Sequence, residues 1–236
     1  MNARVAALYC YPVKSMQGAA LARAALTPGG VPGDRGWALR LRATGRPASA
    51  KRFAVLLLCR ARYLDEPAPG APPPPAEVEL PDGERTRTDD PRANARLSRL
   101  LGADAAFARQ EDGAGHFDAS PLHVLTTASL KTMADAAGGD FDVRRFRPNL
   151  LIALDAPGRP EDAWPGRELS AGAARLRVLK PVARCVMTTL PQPGLAEDKN
   201  IFRAVFERGG ALGVYARARA PAVCAEGDPV ELLETP

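Results

Sequence analysis

The stretch KPVARCVMTTLPQPG (Lys180–Gly194) combines a strand-like apolar run, a cysteine and several polar side chains. Cys185 follows Arg184 directly and precedes Thr188 and Thr189 by a few residues. A neighbouring cation stabilises the charged form of sulfur, so a thiolate here is suited to bind a soft metal. Free cysteines are also commonly small buried apolar residues, and the stretch taken alone favours that second interpretation. The other motifs of the chain reverse this preference.

The remaining cysteines are Cys10, Cys59 and Cys224, and they are widely scattered. The chain has no CxxC pair and only two histidines, which argues against a zinc site or an iron–sulfur cluster held by this chain. Four cysteines would permit two disulfides. We see no secretory signal at the N-terminus, so we expect a reducing, cytoplasmic location instead.

The overall composition is that of a globular protein. Hydrophobic residues make up 46% of the 236 residues and charged residues 25%, which excludes disorder as the main state. The net charge of +5 is modest, and without a run of Lys or Arg it does not predict nucleic-acid binding, although it would help to hold an anionic ligand. The longest apolar runs, such as Phe53–Cys59, are too short to span a membrane. We expect a monomer.

Short strand-like segments bounded by Gly, Pro and Asp turn signals dominate the pattern, which predicts a mainly β protein with a few helices (α+β). The predicted strands are Val5–Tyr11, Ala20–Leu26, Trp37–Arg42, Val55–Tyr63, His123–Thr126, Leu150–Leu154, Arg175–Leu179, Val186–Leu190 and Gly213–Arg217.

Three helices are predicted between these strands. Asp90 is a suitable N-cap for a helix that has Pro91 in its first turn and ends at Gly102. A second helix is predicted over about Ala128–Ala137. A third begins near Asp198 and ends at Gly209–Gly210, with an apolar face formed by Ile201, Phe202, Val205 and Phe206. We interpret its two aromatic residues as core.

The proline-rich stretch EPAPGAPPPPAEVELP (Glu66–Pro81) predicts an extended loop with few ladder hydrogen bonds. The polar, glycine-containing segment Gln110–His116 is the best candidate for a domain boundary. We therefore expect two units, residues 1–112 and 113–236.

Five short motifs combine cations, small residues and hydrogen-bonding side chains near strand ends, where loops can meet around a ligand. Each has a purely structural explanation, such as a solvated strand end, a local ion pair in a turn, or an amide that satisfies backbone groups. Taken together, they supply an anion-binding set with one thiol, which suits a phosphorylated metal cofactor. The motifs are YPVKS (Tyr11–Ser15), PGDRGW (Pro32–Trp37), DASP (Asp118–Pro121), FRPN (Phe146–Asn149) and ARCVMTT (Ala183–Thr189).

In this order, and followed by GDPVELL near the C-terminus, the motifs resemble those of the MOSC family. They are most similar to the subgroup with an N-terminal MOSC β-barrel domain, which includes the amidoxime-reducing component. The resemblance implies an N-terminal MOSC β-barrel domain (1–112) packed on a MOSC β-barrel core (113–236).

The resemblance also implies a molybdenum cofactor, a phosphorylated pterin whose dithiolene binds the metal. Cys185 matches the metal-binding, catalytic cysteine. The cofactor-binding positions are matched by Lys14, Ser15, Arg35, Asp118, Ser120, Arg147, Asn149, Arg184, Cys185 and, least closely, Tyr215.

By analogy, the implied reaction removes oxygen from a small N-hydroxylated substrate with two electrons. The chain ends at Pro236 without a cluster motif, so we expect an external electron donor of the ferredoxin, flavoprotein or cytochrome type. Two alternatives stay open from the sequence. One is a cofactor carrier or sulfur-transfer protein that uses the same residues, and the other is a binding barrel that has lost the cofactor.

Overall fold

The structure is a computed structural model that describes residues 2–110 and 116–233, and most of its regular elements are strands. The strands are β1 (Ala3–Cys10), β2 (Ala19–Leu21), β3 (Arg23–Leu26), β4 (Trp37–Leu41), β5 (Arg60–Tyr63), β6 (Ala76–Glu79), β7 (Arg85–Arg87), β8 (Ala105–Arg109), β9 (Leu122–Thr126), β10 (Leu150–Leu154), β11 (Glu168–Ala171), β12 (Ala174–Ala183), β13 (Ala211–Ala218), β14 (Ala222–Ala225) and β15 (Pro229–Leu233). The helices are α1 (Pro91–Leu101), α2 (Thr127–Ala137) and α3 (Lys199–Glu207). The predicted fold class, mainly β with a few helices, is confirmed.

Seven of the strands in the described residues form a closed barrel. Going round it, the order is β1, β10, β9, β13, β12, β11 and β15, and β15 pairs with β1 again. All neighbours are antiparallel except β9 and β10. Closure removes the exposed sheet edges, and the inward side chains, among them Leu8, Val124, Ile152, Leu176 and Val214, form one apolar core.

The N-terminal strand β1 closes this barrel, although it is far in sequence from the other six strands. Its register with β10 shifts between Val5 and Ala7, and its end, Leu8–Cys10, also pairs with β2. The chain then leaves the barrel to form two smaller sheets, β4–β8 and β5–β6–β7. These sheets and α1 pack on a second core that includes Leu39, Leu56, Val78 and Leu97.

The predicted starts of α1 and α3 are confirmed, whereas α3 ends at Glu207, before the predicted Gly209–Gly210. Asp90 accepts a hydrogen bond from the Arg92 amide, and Gly102 ends α1 in the left-handed conformation with φ 61°. Thr126 caps α2 and Asp198 caps α3 through their side-chain oxygens. Phe206 differs from the prediction, because its side chain is 67% exposed and only the Ile201–Val205 side of α3 is buried in the core.

Several predicted strands are wrong in extent or in type. The segment Val186–Thr189 is a 3₁₀ turn, because the hydroxyls of Thr188 and Thr189 donate to carbonyls three residues earlier. The predicted strand Val55–Tyr63 begins with a 3₁₀ turn over Ala54–Leu58, and Ala20–Leu26 divides into β2 and β3. The predicted proline-rich loop ends in strand β6.

The strands that sequence reasoning missed are β6, β7, β8, β11, β14 and β15. All six have only three to five residues, too few for a clear alternation of apolar and polar side chains. The predicted boundary segment Gln110–His116 lies mostly in residues 111–115, outside the described residues. None of the helices in the described ranges is long and apolar enough to cross a membrane.

Candidate functional site

Five loops meet around one cleft, of about 190 Å³, beside the barrel. Each loop begins or ends at a strand: the ends of β1 and β12 and the residues just before β4, β9 and β10 contribute. The structure thus brings together all ten residues singled out in the sequence, and they line this cleft: Lys14, Ser15, Arg35, Asp118, Ser120, Arg147, Asn149, Arg184, Cys185 and Tyr215.

Cys185 follows the end of β12 and is the N-terminal residue of the 3₁₀ turn. Its side chain is half-buried and lines the cleft, whereas the other three cysteines are fully buried. The Oγ1 atom of Thr188 donates to the Cys185 carbonyl oxygen at 3.0 Å, which fixes the turn. The threonines therefore shape the loop, and the sulfur is the soft donor that faces the cleft.

Arg184 is held by the wall of the cleft. Its Nε donates to the Leu212 carbonyl oxygen at 2.9 Å and its Nη1 to the Phe146 carbonyl oxygen at 3.0 Å. Its Nη2 lies 2.7 Å from Nε2 of His123. Burial lowers the pKa of Arg184 to about 10, so the group is still charged at neutral pH. Arg184 is therefore a charged neighbour of Cys185 in sequence, and most of its guanidinium N–H groups already donate to other protein atoms.

His123 is the buried partner of Arg184. Burial, reinforced by the Arg184 charge, holds the pKa of His123 well below its ordinary value, so the imidazole is neutral at pH 7. Since Arg184 can only donate, we assign the His123 proton to Nδ1 and the lone pair to Nε2. The His123 ring also packs edge-on against Tyr215, with ring centroids 6.3 Å apart.

Lys14 joins two of the loops at the mouth of the cleft. Its Nζ donates to the His116 carbonyl oxygen at 2.8 Å and to Oδ1 of Asp118 at 2.6 Å. Partial desolvation by nearby protein atoms raises the pKa of the Asp118 carboxyl, but the Lys14 hydrogen bond and charge outweigh this and leave the pKa lowered. The Asp118 side chain is 77% exposed, so this pair is accessible to an incoming ligand.

Three residues of the cleft have left-handed backbones. Ser15, Arg35 and Arg147, with φ of 68°, 52° and 54°, are the non-glycine residues with positive φ in residues 2–110 and 116–233. Such conformations cost of the order of 1–3 kcal/mol each and persist where the surrounding structure imposes them. Backbone strain is therefore concentrated at the cleft, as is common at ligand-binding sites.

The Tyr11 ring contacts two of the cations. The guanidinium of Arg147 lies 4.2 Å from the ring centroid and that of Arg35 lies 4.9 Å from it. Asp34 is buried and accepts from both the Tyr11 amide and the Arg35 guanidinium. Asp34, the acidic residue of the PGDRGW motif, therefore fixes the Tyr11–Arg35 arrangement from within the fold.

The uncharged residues of the cleft differ in how far their polar atoms are engaged. Asn149 is bonded at both ends of its amide, accepting from the His123 amide and donating to the Tyr9 carbonyl oxygen, which matches its structural explanation. The buried Ser120 Oγ, in contrast, has no partner among the described residues. An unpaired buried hydroxyl is costly unless a ligand satisfies it.

Further side chains line the cleft that sequence reasoning did not identify, namely Ser49, Lys51, Phe117, His123, Phe146, Val182 and Met187. Of these residues, His123 could have been identified most readily from the sequence, because it is one of two histidines and closely follows the DASP motif. Lys51 lies in the loop before the first 3₁₀ turn, and only the folding of that loop against the barrel places it here.

The electrostatics of the cleft favour an anion. Its described lining has five cationic side chains and one carboxylate, that of Asp118. Burial, together with repulsion by Arg35, lowers the pKa of Arg147 to about 10. Buried charges without full compensation are costly, and an anionic ligand would compensate them.

Two family profiles match this chain, which confirms the resemblance. The profile described as MOSC domain matches residues 104–231, and the profile described as MOSC N-terminal beta barrel domain matches residues 2–112.

The curated relatives are more distant. The chain is 28% identical over 158 residues to mitochondrial amidoxime-reducing component 1 of Mus musculus, an alignment that covers 61% of this chain and 45% of the mouse protein. The Homo sapiens protein of the same name is 27% identical over 139 residues, covering 53% of this chain and 40% of that protein. The chain therefore spans less than half the length of these relatives.

Among solved structures, the YUAD protein from Bacillus subtilis is similar over 100% of this chain and 98% of its own, with a TM-score of 0.55 and 14% sequence identity. That likeness shows a shared fold. The profile matches identify the chain as a member of the MOSC domain family that carries a MOSC N-terminal beta barrel domain ahead of its MOSC domain.

Proposed function

We propose that the protein is a molybdenum-cofactor-dependent oxidoreductase that reduces N-hydroxylated compounds with electrons from an external donor. The observation that carries the proposal is the convergence of one half-buried cysteine sulfur and five cationic side chains on a single cleft. The names of the curated relatives, amidoxime-reducing components, support this class of substrate.

The donor set fits a phosphorylated, thiolate-ligated cofactor. Cys185 offers a soft sulfur ligand, and the cations offer hydrogen bonds and charge to a phosphate. The unpartnered Ser120 hydroxyl gives a polar group that a cofactor could satisfy. When bound, the cofactor would supply a metal that accepts and returns two electrons.

We assign roles to the residues according to their contacts. Cys185 would ligate the metal and act as the catalytic residue. Lys14, Arg35 and Arg147 would hold the phosphate, while Arg184 and Asn149, whose polar atoms are bonded to backbone, would keep the wall in place. Ser15, Asp118, Ser120 and Tyr215 would orient the ring and the substrate.

The proposed reaction breaks the N–O bond of an amidoxime or related compound. It consumes two electrons from the external donor and two protons, and it yields the amidine or amine and water. Asp118 and Tyr215 both line the cleft and can exchange protons. The exposed Asp118 carboxylate, paired with Lys14, connects the cleft to solvent.

Molybdenum content per chain tests the proposal directly. We expect about one metal per chain in protein from molybdate-supplemented cells and none in Cys185→Ala. The matched control is Cys224→Ala, which alters a cysteine buried in the barrel core. Circular dichroism shows whether both variants fold. Metal retained in Cys185→Ala would exclude the sulfur as its ligand.

Turnover separates the enzyme from a carrier. We expect the loaded protein to convert a simple amidoxime to its amidine with a chemically reduced dye as donor. Bound molybdenum without turnover of any N-oxygenated substrate tested would favour the cofactor-carrier or sulfur-transfer alternative. Protein free of metal and pterin from molybdate-supplemented cells would contradict both.

A further inference from the structure

A second basic pocket, of about 410 Å³, is lined by Tyr9, Tyr11 and Arg147. Arg147 lines both cavities, whereas Cys185 and Lys14 line only the first. We propose that this second pocket binds a planar ring that carries an anionic group, either a phosphate or a carboxylate. We call it the Tyr9 pocket.

One wall of the Tyr9 pocket is aromatic. Tyr9 and Tyr11 are two residues apart at the end of β1, so their side chains point to the same face of the strand. Their rings are stacked with centroids 6.4 Å apart and an interplanar angle of 29°. Tyr9 is half-buried and leaves part of its ring to the pocket. The Tyr11 ring is buried and already contacted by Arg147, so the part of the Tyr9 ring that faces the pocket is the surface on which a planar ligand would stack.

The charge of the Tyr9 pocket is positive. Four arginines line it, Arg60, Arg62, Arg144 and Arg147, and its described lining contains no carboxylate. Arg62 is paired with Glu77 and Arg144 with Asp142, so these two are partly neutralised. Arg60 is exposed and has no ion-pair partner among the residues that the structure describes. Its guanidinium is therefore free to make a bidentate contact with a phosphate or carboxylate.

The pocket is open because small residues form its remaining side. Gly18, Ala19 and Ala20 line it where the chain enters β2. A Cβ atom built on Gly18 would lie 2.7 Å from the Tyr11 ring and 2.1 Å from the Cys10 carbonyl oxygen, so a larger residue there would displace the wall. Ala20 is exposed, and a larger side chain at that position would fill the pocket instead of disturbing the core.

The proposal is tested with the full-length protein, without molybdenum, by isothermal titration calorimetry at low ionic strength. The probes are adenosine monophosphate and benzoate, with adenosine as the ring without charge and inorganic phosphate as the charge without a ring. We expect at least one of the first two to bind more tightly than both controls. Binding of the nucleotide alone assigns the ligand as a phosphate, and binding of benzoate alone assigns it as a carboxylate.

Variants locate the binding. Arg60→Gln should weaken it about tenfold, the effect of losing one charged hydrogen bond, and Ala20→Trp should abolish it. The matched control is Arg46→Gln, an exposed arginine outside the pocket, which should bind as the wild type does. Lys14→Gln should also leave binding unchanged, because Lys14 lines only the candidate site.

The proposal is overturned if neither probe binds more tightly than adenosine and phosphate, or if Ala20→Trp binds normally. It is also overturned if Lys14→Gln removes the binding, which would place the probe in the candidate site. None of these readouts depends on molybdenum content or turnover. A failure here is therefore distinguishable from a failure of the proposed function.

Discussion

The Nη2 atom of Arg184 lies 2.7 Å from the Nε2 atom of His123, and this contact requires a neutral imidazole. Two elements distant in sequence, the end of β12 and strand β9, are linked by it. The cation beside Cys185 is therefore positioned by a titratable group. The contact makes the stability of the site depend on pH.

We expect the free energy of unfolding to decrease as the pH falls, because His123 is neutral in the folded protein. Burial, then the Arg184 charge, lowers the folded-state pKa of His123 well below the unfolded value of about 6.5. Below that value the unfolded chain takes up a proton that the folded chain does not, so unfolding becomes more favourable. The loss continues down to the folded-state pKa, with a slope of up to about 1.4 kcal/mol per pH unit.

Urea unfolding of His123→Gln between about pH 7 and 5 checks this, because the variant should have a flatter profile over that interval. His116→Gln is the control. Burial also lowers the pKa of His116, but that residue is only half-buried, so its removal should flatten the profile less. An unchanged slope in His123→Gln would contradict the assignment of a neutral buried imidazole.

Arg145 should be a major structural residue of the loop after Cys185. It is 2% exposed, and its guanidinium donates to the carbonyl oxygens of Asp140, Thr188, Leu190 and Ala196. Arg145→Met should lower the free energy of unfolding by about 2–4 kcal/mol, because several buried carbonyls lose a charged donor. Arg175→Met, at an exposed arginine, should change it by less than about 0.5 kcal/mol. Unfolding in guanidinium chloride measures both changes. Equal changes in the free energy of unfolding for the two variants would show that the Arg145 hydrogen bonds contribute little.

Tyr11 should stabilise the site mainly through its ring. Tyr11→Phe keeps the ring against Arg35 and Arg147 and loses one hydrogen bond to the Pro148 carbonyl oxygen, at a cost of about 1 kcal/mol. Tyr11→Leu also removes both cation–π contacts and part of the buried area, at a total cost of about 3 kcal/mol. The midpoint temperature of thermal unfolding should be highest for the wild type, lower for Tyr11→Phe and lowest for Tyr11→Leu. Similar midpoints for the two variants would assign the effect to the hydroxyl.

Gly213 should be required for the position of His123. Its φ is +79°, and a Cβ atom there would lie 2.5 Å from Nε2 of His123 and 2.8 Å from the Val124 carbonyl oxygen. Gly213→Ala should therefore cost more than about 3 kcal/mol. Gly227→Ala is the matched control, with φ +86° and open space around its Cβ, and should cost about 1 kcal/mol. Both variants carry the backbone strain of a positive φ, so the difference between their free energies of unfolding measures the steric clash at position 213. Equal losses of stability in the two variants would contradict the clash.

The sequence determined the local parts of this protein well. Asp90 and Asp198 cap α1 and α3 as predicted, because an N-cap bond joins residues only two positions apart. Strand β10 has the predicted bounds because its apolar run lies between clear turn signals. Five motifs in a fixed order were sufficient to identify the family.

The tertiary structure decided what depends on contacts between distant residues. The segment after Cys185 has strand-like composition, yet it forms a 3₁₀ turn whose carbonyls bond to Arg145, more than 40 positions earlier in the chain. Neither the role of His123 nor the burial of Asp34 follows from the neighbours of those residues in sequence. These side chains take their positions because buried polar groups must be hydrogen-bonded. Which groups are buried depends on the closed barrel, and local sequence does not specify it.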